Sequence, residues 1–513
     1  MRPLYEPSLD TKDTPLSPQK RADLRCLTWL LPLTIGCGNA NDSDTADNVI
    51  VSAGQVTLNL VNPTLNAPNP LEGIQTLRID VTVDGDVITT DSFDYPEESP
   101  EFVGLDEFGI LRFEVAGLSG GQVRSFGRSA ETVVEPGETL DINVTFLPIN
   151  EVFSLDTTAY EKRSDHVAKR LLNGQIALIG GHNANRNDSY DSVGFFDPVT
   201  KTYSPSLIYM EASVGSPRAF LNEDGELVIV GGSQLLGPTN ETASNLVQVY
   251  DPAANTVNAV ATMGYGRSEH CVARYLNNAF AAIGGPGTGD WVDIVKPDTS
   301  GPDAWTVTTV RLDHPESDTY SLEAAHSCGV FEDGTIFIQG QSSSTTGLWD
   351  LVNAGSSPGQ TFSAHANGQV NYVKNAVVWP IAEESMWVAG GVDVSTGEVT
   401  NDASEFQLDT MQFVSGQPLS VARQHASVDP WIEDNWLVVG CGYDDTVDSP
   451  VGSVELIAPR TGSTGFTADL DRTRPGCQVT TLLDGTVLIT GGYAPEDLVN
   501  NAADAAIMVP YVD

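Results

Sequence analysis

Arginines and histidines recur in this chain at fixed distances ahead of a pair of small residues. The histidines stand fourteen residues before the first member of the pair, and the arginines stand three residues earlier still. If equivalent positions gather in the fold, the imidazoles could bind a metal and the guanidinium groups an acidic ligand. The alternative is a structural role, in which both side chains hydrogen-bond neighbouring repeats and recur without any ligand. The residues concerned are Arg163, His166, Arg267, His270, His326 and Arg474.

The small-residue pairs mark a repeat of 50 to 56 residues. Each pair ends an apolar segment, and in most copies a turn dipeptide such as Asp224-Gly225 ends six residues earlier, which is typical of a tight hairpin. Each unit therefore reads as a strand, a turn, an apolar strand, a variable loop, a third strand and a weaker fourth. The pairs are Gly180-Gly181, Gly231-Gly232, Gly284-Gly285, Gly340-Gln341, Gly390-Gly391, Gly440-Cys441 and Gly491-Gly492.

Seven such units cover residues 151–513 and predict an all-β fold. Four strands per unit match one blade of a propeller, in which radial closure protects the sheet edges. The segment 151–155 reads as a strand ahead of the first full unit, and the last unit lacks a fourth strand. We therefore expect the first strand to pair with the last blade and close the ring.

The units resemble the kelch family of β-propellers. The shared features are a basic residue and a histidine before the first strand, the turn dipeptide, the Gly-Gly pair, and a third strand ending in Asp-Pro, as at Asp197-Pro198. The resemblance implies a seven-bladed propeller. The resemblance extends to enzymes such as galactose oxidase, whose copper site needs tyrosines, two histidines and a tyrosine crosslinked to cysteine. No residue of this chain is assigned to that set.

The N-terminal segment resembles a bacterial lipoprotein signal. Basic residues precede a short apolar stretch over residues 26–35, and Cys37 follows a small residue. A signal over residues 1–36 implies that Cys37 carries lipid and becomes the mature N-terminus, followed by a flexible tether over residues 37–47. Thr34 departs from the pattern, since leucine is usual there. An ordinary secretion signal or a buried cysteine is the alternative.

Residues 48–150 show a different strand pattern without the glycine repeat. Apolar residues alternate with polar ones, for example at Val56, Leu58 and Leu60. This alternation predicts a small antiparallel β-sandwich, and the segment resembles immunoglobulin-like or carboxypeptidase-regulatory-like modules. We expect it to act as a spacer between the membrane and the propeller.

Four cysteines remain when the two near the N-terminus are set apart. An even number in an exported chain predicts two disulfides. Cys271 and Cys328 fall in the first strands of neighbouring units, and Cys441 and Cys477 fall at one end of adjoining units. Both pairs can therefore meet. Free buried thiols are the alternative.

The chain has 69 acidic and 25 basic residues, and its formal net charge is −44 at pH 7. This charge disfavours nucleic acid and anionic membrane surfaces as partners and favours cations or basic proteins. Acidic loop clusters such as Asp393, Glu398 and Asp402 could hold calcium through oxygen ligands, and solvated surface charge is the simpler explanation. The sequence itself requires no cofactor.

Together these patterns predict a binding module at the outer face of a bacterial envelope, either an outer-membrane lipoprotein or a secreted protein. The loops at residues 233–245 and 392–403 are long and variable, and we expect them to recognise a protein or a glycan. The alternative is an enzyme, either carbohydrate-active or a copper-dependent oxidase, with its site at the histidine-bearing mouth of the propeller. A third possibility is a mainly structural role.

Overall fold

The regular structure of the chain consists of β-strands, and no helix occurs among the described residues. The computed structural model describes residues 32–36, 55–83, 86–96, 110–133, 139–183, 187–235, 237, 240–274, 278–298, 305–311, 327–339, 346–350, 363–365, 373–432, 435–444, 449–472, 474–492 and 505–512. Cys37 and the tether over residues 37–47 lie outside this part of the chain. No helix in the described residues has the length and apolar character needed to cross a membrane.

The N-terminal strands form two sheets that pack face to face. One sheet has the order β1-β2-β8 and the other β4-β3-β5-β6-β9, with β7 on β5. Val56 and Leu58 from the first sheet pack with Ile79 and Phe113 from the second in one buried apolar cluster. The strands are β1 (Pro32–Gly36), β2 (Gln55–Val61), β3 (Thr76–Val83), β4 (Asp86–Asp94), β5 (Ile110–Ser119), β6 (Gln122–Arg128), β7 (Thr132–Val133), β8 (Thr139–Thr145) and β9 (Leu147–Pro148).

Seven antiparallel sheets follow in the described residues, and we number them sheet one to sheet seven in chain order. A lone strand, β10 (Val152–Ser154), precedes them. Sheet one contains β11 (Val167–Arg170), β12 (Ile176–Ile179), β13 (Ser192–Asp197), β14 (Thr202–Tyr203) and β15 (Ile208–Tyr209). Sheet two contains β16 (Arg218–Leu221), β17 (Leu227–Val230), β20 (Leu246–Asp251) and β21 (Thr256–Thr262), with a separate hairpin of β18 (Ser233–Leu235) and β19 (Glu241–Ala243).

Sheets three to six repeat this four-strand order. Sheet three contains β22 (Cys271–Arg274), β23 (Phe280–Ile283), β24 (Trp291–Pro297) and β25 (Trp305–Arg311), and sheet four contains β26 (Ser327–Val330), β27 (Thr335–Gln339), β28 (Thr346–Asp350) and β29 (Ser363–His365). Sheet five contains β31 (Val377–Ala382), β32 (Ser385–Ala389), β34 (Ala403–Gln407) and β35 (Gln412–Ser415), beside the pair β30 (Val373–Lys374) and β33 (Val392–Asp393). Sheet six contains β36 (Ser427–Pro430), β37 (Leu437–Gly440), β40 (Ser453–Ala458) and β41 (Ser463–Asp469), beside the pair β38 (Tyr443–Asp444) and β39 (Ser449–Pro450).

Sheet seven joins the two ends of this region. It contains β42 (Cys477–Thr481), β43 (Val487–Gly491) and β44 (Ala505–Met508), and β10 pairs with β44 as its fourth strand. The register places Val152 opposite Met508 and Phe153 opposite Ile507. The strand expected over residues 151–155 therefore completes the sheet formed by the last residues.

Each sheet contacts the next one along the chain, and sheet seven contacts sheet one. Backbone and side-chain hydrogen bonds make most of these links, and the pair Cys271 and Cys328 joins sheets three and four. The hydrogen bonds run from Ser216 N to Asp165 O, Gly232 N to Arg267 O, Ser327 Oγ to Ala376 O, Gly391 N to Arg423 O, Val479 N to Ser427 Oγ, and Gly492 N to Arg163 O, with lengths of 2.6 to 3.0 Å.

The two cysteine pairs have geometry compatible with disulfides. The Cα atoms of Cys271 and Cys328 lie 5.9 Å apart, and those of Cys441 and Cys477 lie 5.6 Å apart. Both separations fall within the range that a disulfide spans. Each pair bridges neighbouring sheets, three with four and six with seven.

The N-terminal sheets pack against sheets one and seven, and their role as a spacer from the membrane stays a prediction. Phe126 and Leu147 share a buried apolar cluster with Leu488 and Ile507. At the edge of this contact the guanidinium carbon of Arg128 lies 5.6 Å from the centre of the Trp431 ring, a cation–π distance. Strand alternation alone could not reveal this contact, because it does not say what covers an apolar face.

Replacing Ile507 with alanine should reveal how much the β10–β44 junction contributes to stability. Ile507 is fully buried, so truncation should lower the free energy of unfolding by about 2 to 5 kcal/mol. Chemical denaturation measures this. The matched control is Val199→Ala, which removes two methyl groups from a side chain that is 72% exposed and should change stability by less than about 0.5 kcal/mol. Equal effects of the two variants would contradict the junction's role.

Candidate functional site

The three arginines singled out in the sequence are buried and hold their own sheets together. In each case Nη1 donates to the carbonyl oxygen of the first glycine of the pair, seventeen residues later. The distances are 2.7 Å for Arg163 to Gly180, 2.6 Å for Arg267 to Gly284 and 3.4 Å for Arg474 to Gly491. Each arginine therefore ties the segment before the first strand to the end of the second strand.

Each buried guanidinium also contacts a carboxylate. Glu161 lies 2.6 Å from Arg163, and Asp293 lies 2.8 Å from Arg267. Burial lowers the pKa of Arg267, and the charge of Asp293 opposes that effect. Arg474 is paired in the same way with Asp471 at 2.8 Å. The positive charges are thus neutralised inside the protein, as buried charges must be.

A fourth arginine of this kind, Arg423, was missed in the sequence. Its Nη1 donates to the carbonyl oxygens of Cys441 at 3.1 Å and Ser453 at 2.9 Å, and its Nη2 lies 3.1 Å from Glu455. Arg423 stands seventeen residues before Gly440, the same spacing as the other three. That spacing was the signal that could have identified it.

The described histidines of the repeated pattern are enclosed in the protein. His270 is fully buried, and Nε2 of His166 lies 2.9 Å from Oγ1 of Thr490, which belongs to sheet seven. Burial, assisted by the charge of Arg163, lowers the pKa of His166 to about 3. His166 is therefore neutral at physiological pH and joins sheets one and seven. His326 lies outside the described residues, and the placement of this whole set at a channel mouth stays a prediction.

The residue immediately before the histidine position has an unusual backbone conformation in five of the described repeats. Five non-glycine residues there adopt a left-handed backbone, with φ between 47° and 58°. This conformation is uncommon for residues other than glycine, and such strain concentrates at functional sites. The five are Asp165, Ser216, Glu269, Asn375 and His425, and Gly476 takes the same position in sheet seven.

The residues with positive φ form backbone hydrogen bonds to neighbouring sheets. Asp165 N donates to Gly476 O at 2.8 Å, and Ser216 N donates to Asp165 O at 2.7 Å. His425 N likewise donates to Asn375 O at 3.0 Å. The positive φ is what turns the N–H and C=O groups of one residue toward two different neighbours.

Five residues are linked by a run of contacts that begins at Asp165. The hydroxyl of Tyr443, in β38 beside sheet six, lies 3.3 Å from Oδ1 of Asp165, which precedes the first strand of sheet one. The ring of His425 stands edge-on to Tyr443 at 6.5 Å between centroids, and Asn375 Nδ2 donates to Gln424 Oε1 at 3.0 Å. We call these five residues the Asp165 cluster. It combines a carboxylate, two amides, a phenol and an imidazole.

The expected recognition loops begin beside this cluster. Ser233, which opens the loop at 233–245, bridges to Gly215, the residue before Ser216. Val392, which opens the loop at 392–403, pairs with Lys374, the residue before Asn375. The connections after the second strands are acidic, since their described residues include Asp188, Asp191, Glu241, Asp290, Asp393, Glu398, Asp402 and Asp444.

The described residues contain no group of three or more histidine, cysteine, aspartate or glutamate side chains placed to hold a metal. The carboxylate of Asp393 accepts hydrogen bonds from Ser395 Oγ at 2.6 Å and Ser395 N at 2.7 Å, and these bonds lower its pKa. Asp393 thus stabilises its own turn. The tyrosine–cysteine crosslink of galactose oxidase does not form among the described residues either, because their four cysteines meet one another in pairs.

Comparison with known proteins shows the fold only. No protein-family model matches the chain, and no curated protein matches it. Among solved structures, the chain is similar to a novel fungal alcohol oxidase of the AA5 family with catalytic diversity, determined in complex with copper. The two are 15% identical with a TM-score of 0.53, and the alignment covers 70% of this chain and 75% of that one. The chain thus shares a galactose oxidase-like all-β fold.

Replacing Arg267 with methionine should be strongly destabilising. The change leaves Asp293 charged and unpaired in a fully buried position, which costs about 3 to 5 kcal/mol. Urea denaturation measures the loss, and adding Asp293→Asn should recover part of it. The control is Arg311→Met, whose side chain is 60% exposed and whose ion pair should contribute no more than about 1 kcal/mol. If the two single variants were equally stable, the buried pair would not have the role described.

His166 should make stability depend on pH in the acid range. Its unfolded pKa is about 6.5 and its folded pKa is about 3, so the unfolded state binds a proton first. The contribution is complete above pH 6.5 and falls by up to about 1.4 kcal/mol per pH unit below it. His166→Gln should therefore show a smaller loss of unfolding free energy between pH 6.5 and 4.5 than the parent. Identical slopes would show that His166 does not titrate on unfolding.

Proposed function

We propose that this protein is a ligand-binding module built on a seven-bladed kelch-like β-propeller, in which sheets one to seven are the blades. Three observations support the propeller. Each sheet contacts its successor, sheet seven contacts sheet one, and β10 completes sheet seven. The galactose oxidase-like neighbour agrees with this architecture at the level of the fold.

The observation that carries the binding role is the convergence of four sheets at Asp165. Its backbone bonds to sheets two and seven, and its carboxylate meets Tyr443 from sheet six. A site assembled from several blades is held rigidly, which lowers the entropy lost on binding. The repeated arginines and histidines, in contrast, contact partners inside the protein, so they favour a structural role over chemistry.

The chemistry of the Asp165 cluster and the loops beside it suits a neutral or cationic ligand. The carboxylate accepts hydrogen bonds from hydroxyl-rich molecules, the amides both accept and donate them, and the Tyr443 and His425 rings offer apolar contact area. The acidic loops repel nucleic acid and other polyanions. A glycan or a basic protein segment is therefore the proposed ligand, recognised through the Asp165 cluster and the loops at 233–245 and 392–403.

The proposed setting is the outer face of a bacterial envelope. The lipoprotein-like signal supports export with Cys37 as the lipid anchor, and the cysteine pairs agree with an oxidising compartment. In this arrangement the lipid alone contacts the membrane. Calcium at the acidic loops is compatible with the proposal and is not needed by it.

An oxidase is the second candidate, favoured by one specific observation. The similar solved structure is a copper-bound alcohol oxidase. At 15% identity that activity does not transfer to this chain, and the described histidines and cysteines are used in contacts with the protein. Elemental mass spectrometry after dialysis distinguishes an oxidase from a binding module. Stoichiometric copper that is lost in the His166→Ala and His270→Ala variants would favour the oxidase.

Tyr443→Phe should weaken binding by about ten-fold without unfolding the protein, because it removes one hydroxyl from the proposed site. Binding to intact bacterial cells and to an array of envelope glycans is the measurement. The matched control is Tyr209→Phe, a tyrosine of β15 that is 61% exposed and does not belong to the cluster. Full binding by Tyr443→Phe and by a variant with both long loops shortened would contradict the proposal that the ligand binds at the Asp165 cluster and these loops.

A further inference from the structure

Two aromatic rings stack at one end of sheet three, and the larger ring is exposed to solvent. The ring centroids of Tyr265 and Trp291 lie 6.0 Å apart, with 28° between the ring planes. Trp291 is 38% exposed, whereas the other tryptophans whose burial the structure describes are half-buried or buried. Exposed apolar surface with a polar rim is typical of an interaction site.

Hydrogen bonds inside the protein fix the backbone of Trp291. Its carbonyl oxygen accepts from Nη2 of Arg267 at 2.9 Å, and its N–H donates to Thr288 O at 3.2 Å. Arg267 is itself paired with Asp293 in β24, and its guanidinium carbon lies 6.0 Å from the centre of the Tyr265 ring. The aromatic pair is therefore presented by a rigid part of sheet three, which lowers the entropy lost when a ligand covers it.

Trp291 extends an apolar surface beyond the point where sheet two covers it. Alternate residues of a strand share one face, so Val295 and Trp291 lie on the same face of β24. Val295 packs with Val247 and Val249 of sheet two in a buried cluster. Trp291 lies roughly 13 Å further along the strand and is exposed, so it stands where the contact between sheets two and three ends.

The proposed recognition loop at 233–245 ends beside this aromatic pair. Arg267 N donates to Ser244 O at 2.8 Å. A Cβ on Gly266 would stand 2.4 Å from Ala243 O, so a glycine is needed for the loop to approach this closely. The residue before this glycine is the tyrosine of the pair. The aromatic pair is therefore continuous with the surface proposed to bind the ligand.

Charged groups of both signs border the exposed ring. Arg311 lies directly opposite Trp291 in the register of β24 and β25, so the two side chains are on the same face of the sheet. Nη2 of Arg311 lies 3.4 Å from Oδ2 of Asp290, and the arginine side chain is 60% exposed. The guanidinium donates hydrogen bonds and the carboxylate accepts them, while their two charges cancel.

This combination fits a sugar ring better than a cation. One face of a pyranose presents C–H groups that can cover an aromatic ring, and its hydroxyl groups both donate and accept hydrogen bonds at the edge. A lysine from a basic partner would also be attracted to the face of an indole. The guanidinium of Arg311 beside Trp291 repels such a cation, and the acidic loops repel an anionic sugar. A neutral sugar avoids both penalties.

We propose that Trp291 is a stacking platform for a neutral pyranose residue of a glycan, with Asp290 and Arg311 as hydrogen-bonding partners of its hydroxyl groups. Tyr265 packs against the indole and limits its rotation. This inference rests on the proposed binding role, and it selects one of the two ligand classes named there.

The test is saturation-transfer NMR on the full chain with the methyl pyranosides of glucose, galactose, mannose and N-acetylglucosamine. Irradiation of the aromatic protons of the protein should saturate the C–H protons of at least one sugar. Trp291→Ala should weaken its affinity by about ten-fold or more, and Trp291→Phe, which keeps a ring, should weaken it by less than about three-fold. The matched control, Tyr209→Ala, removes an exposed ring from sheet one and should respond like the parent.

The outcomes separate this inference from the proposed binding role. Sugar binding that Tyr443→Phe reduces and Trp291→Ala leaves unchanged would overturn the inference alone. A parent protein that binds bacterial cells and none of the pyranosides would also overturn the inference alone. Binding of poly-lysine that depends on Trp291, without sugar binding, would replace the glycan with a basic partner. A parent that binds neither cells, nor sugars, nor poly-lysine would contradict both.

A second measurement uses the unmodified sequence, in case Trp291→Ala does not fold. Oxidation of tryptophan by N-bromosuccinimide, mapped by mass spectrometry, should be slowed at Trp291 by the bound pyranoside. The half-buried Trp436 of sheet six serves as the internal control and should be oxidised at an unchanged rate. Equal oxidation of Trp291 with and without the sugar would also overturn the inference.

Discussion

The architecture depends on one backbone hydrogen bond between neighbouring sheets. The N–H of the second glycine in a pair donates to a carbonyl oxygen of the next sheet, as from Gly181 to Val214 at 2.8 Å and from Gly492 to Arg163 at 2.9 Å. A Cβ on the first glycine would stand 2.1 Å from the Val214 oxygen or 2.3 Å from the Arg163 oxygen. The glycine pairs are therefore required for the sheets to approach this closely.

The buried arginines extend this contact into sheets one and three. Arg163 and Arg267 accept the inter-sheet bond at their carbonyl oxygens and send their guanidinium groups back to their own glycine pairs. One residue thus links the packing between sheets to the order within a sheet. This explains the recurrence of arginine without any ligand, which was one of the two interpretations of the sequence pattern.

The sequence predicted the repeat and its strands well, because glycine pairs and turn dipeptides have local causes. It also predicted that segment 151–155 would pair with the last strand, and β10 does pair with β44. It did not single out the residue immediately before the histidine position. Asp165 and His425 adopt positive φ there without being glycine, so neither composition nor spacing reveals the turn.

The sequence also did not reveal which carboxylates pair with the buried arginines, because these carboxylates occupy no regular position in the repeat. Asp293 lies within β24, whereas Glu161 and Asp471 precede their arginines by two and three residues. The same holds for Tyr443, which reaches Asp165 only because sheets six and one approach each other in space. A repeat pattern specifies what recurs, and the candidate binding site is built from what differs between repeats.

Amide hydrogen exchange resolved to single residues tests the central role of the glycine pairs most directly. The account predicts that the amides of Gly181, Gly232, Gly391 and Gly492 exchange as slowly as those of the buried strands β12 and β43, since each is bonded to a neighbouring sheet. Exchange of these four amides at the rate of exposed loops would contradict it.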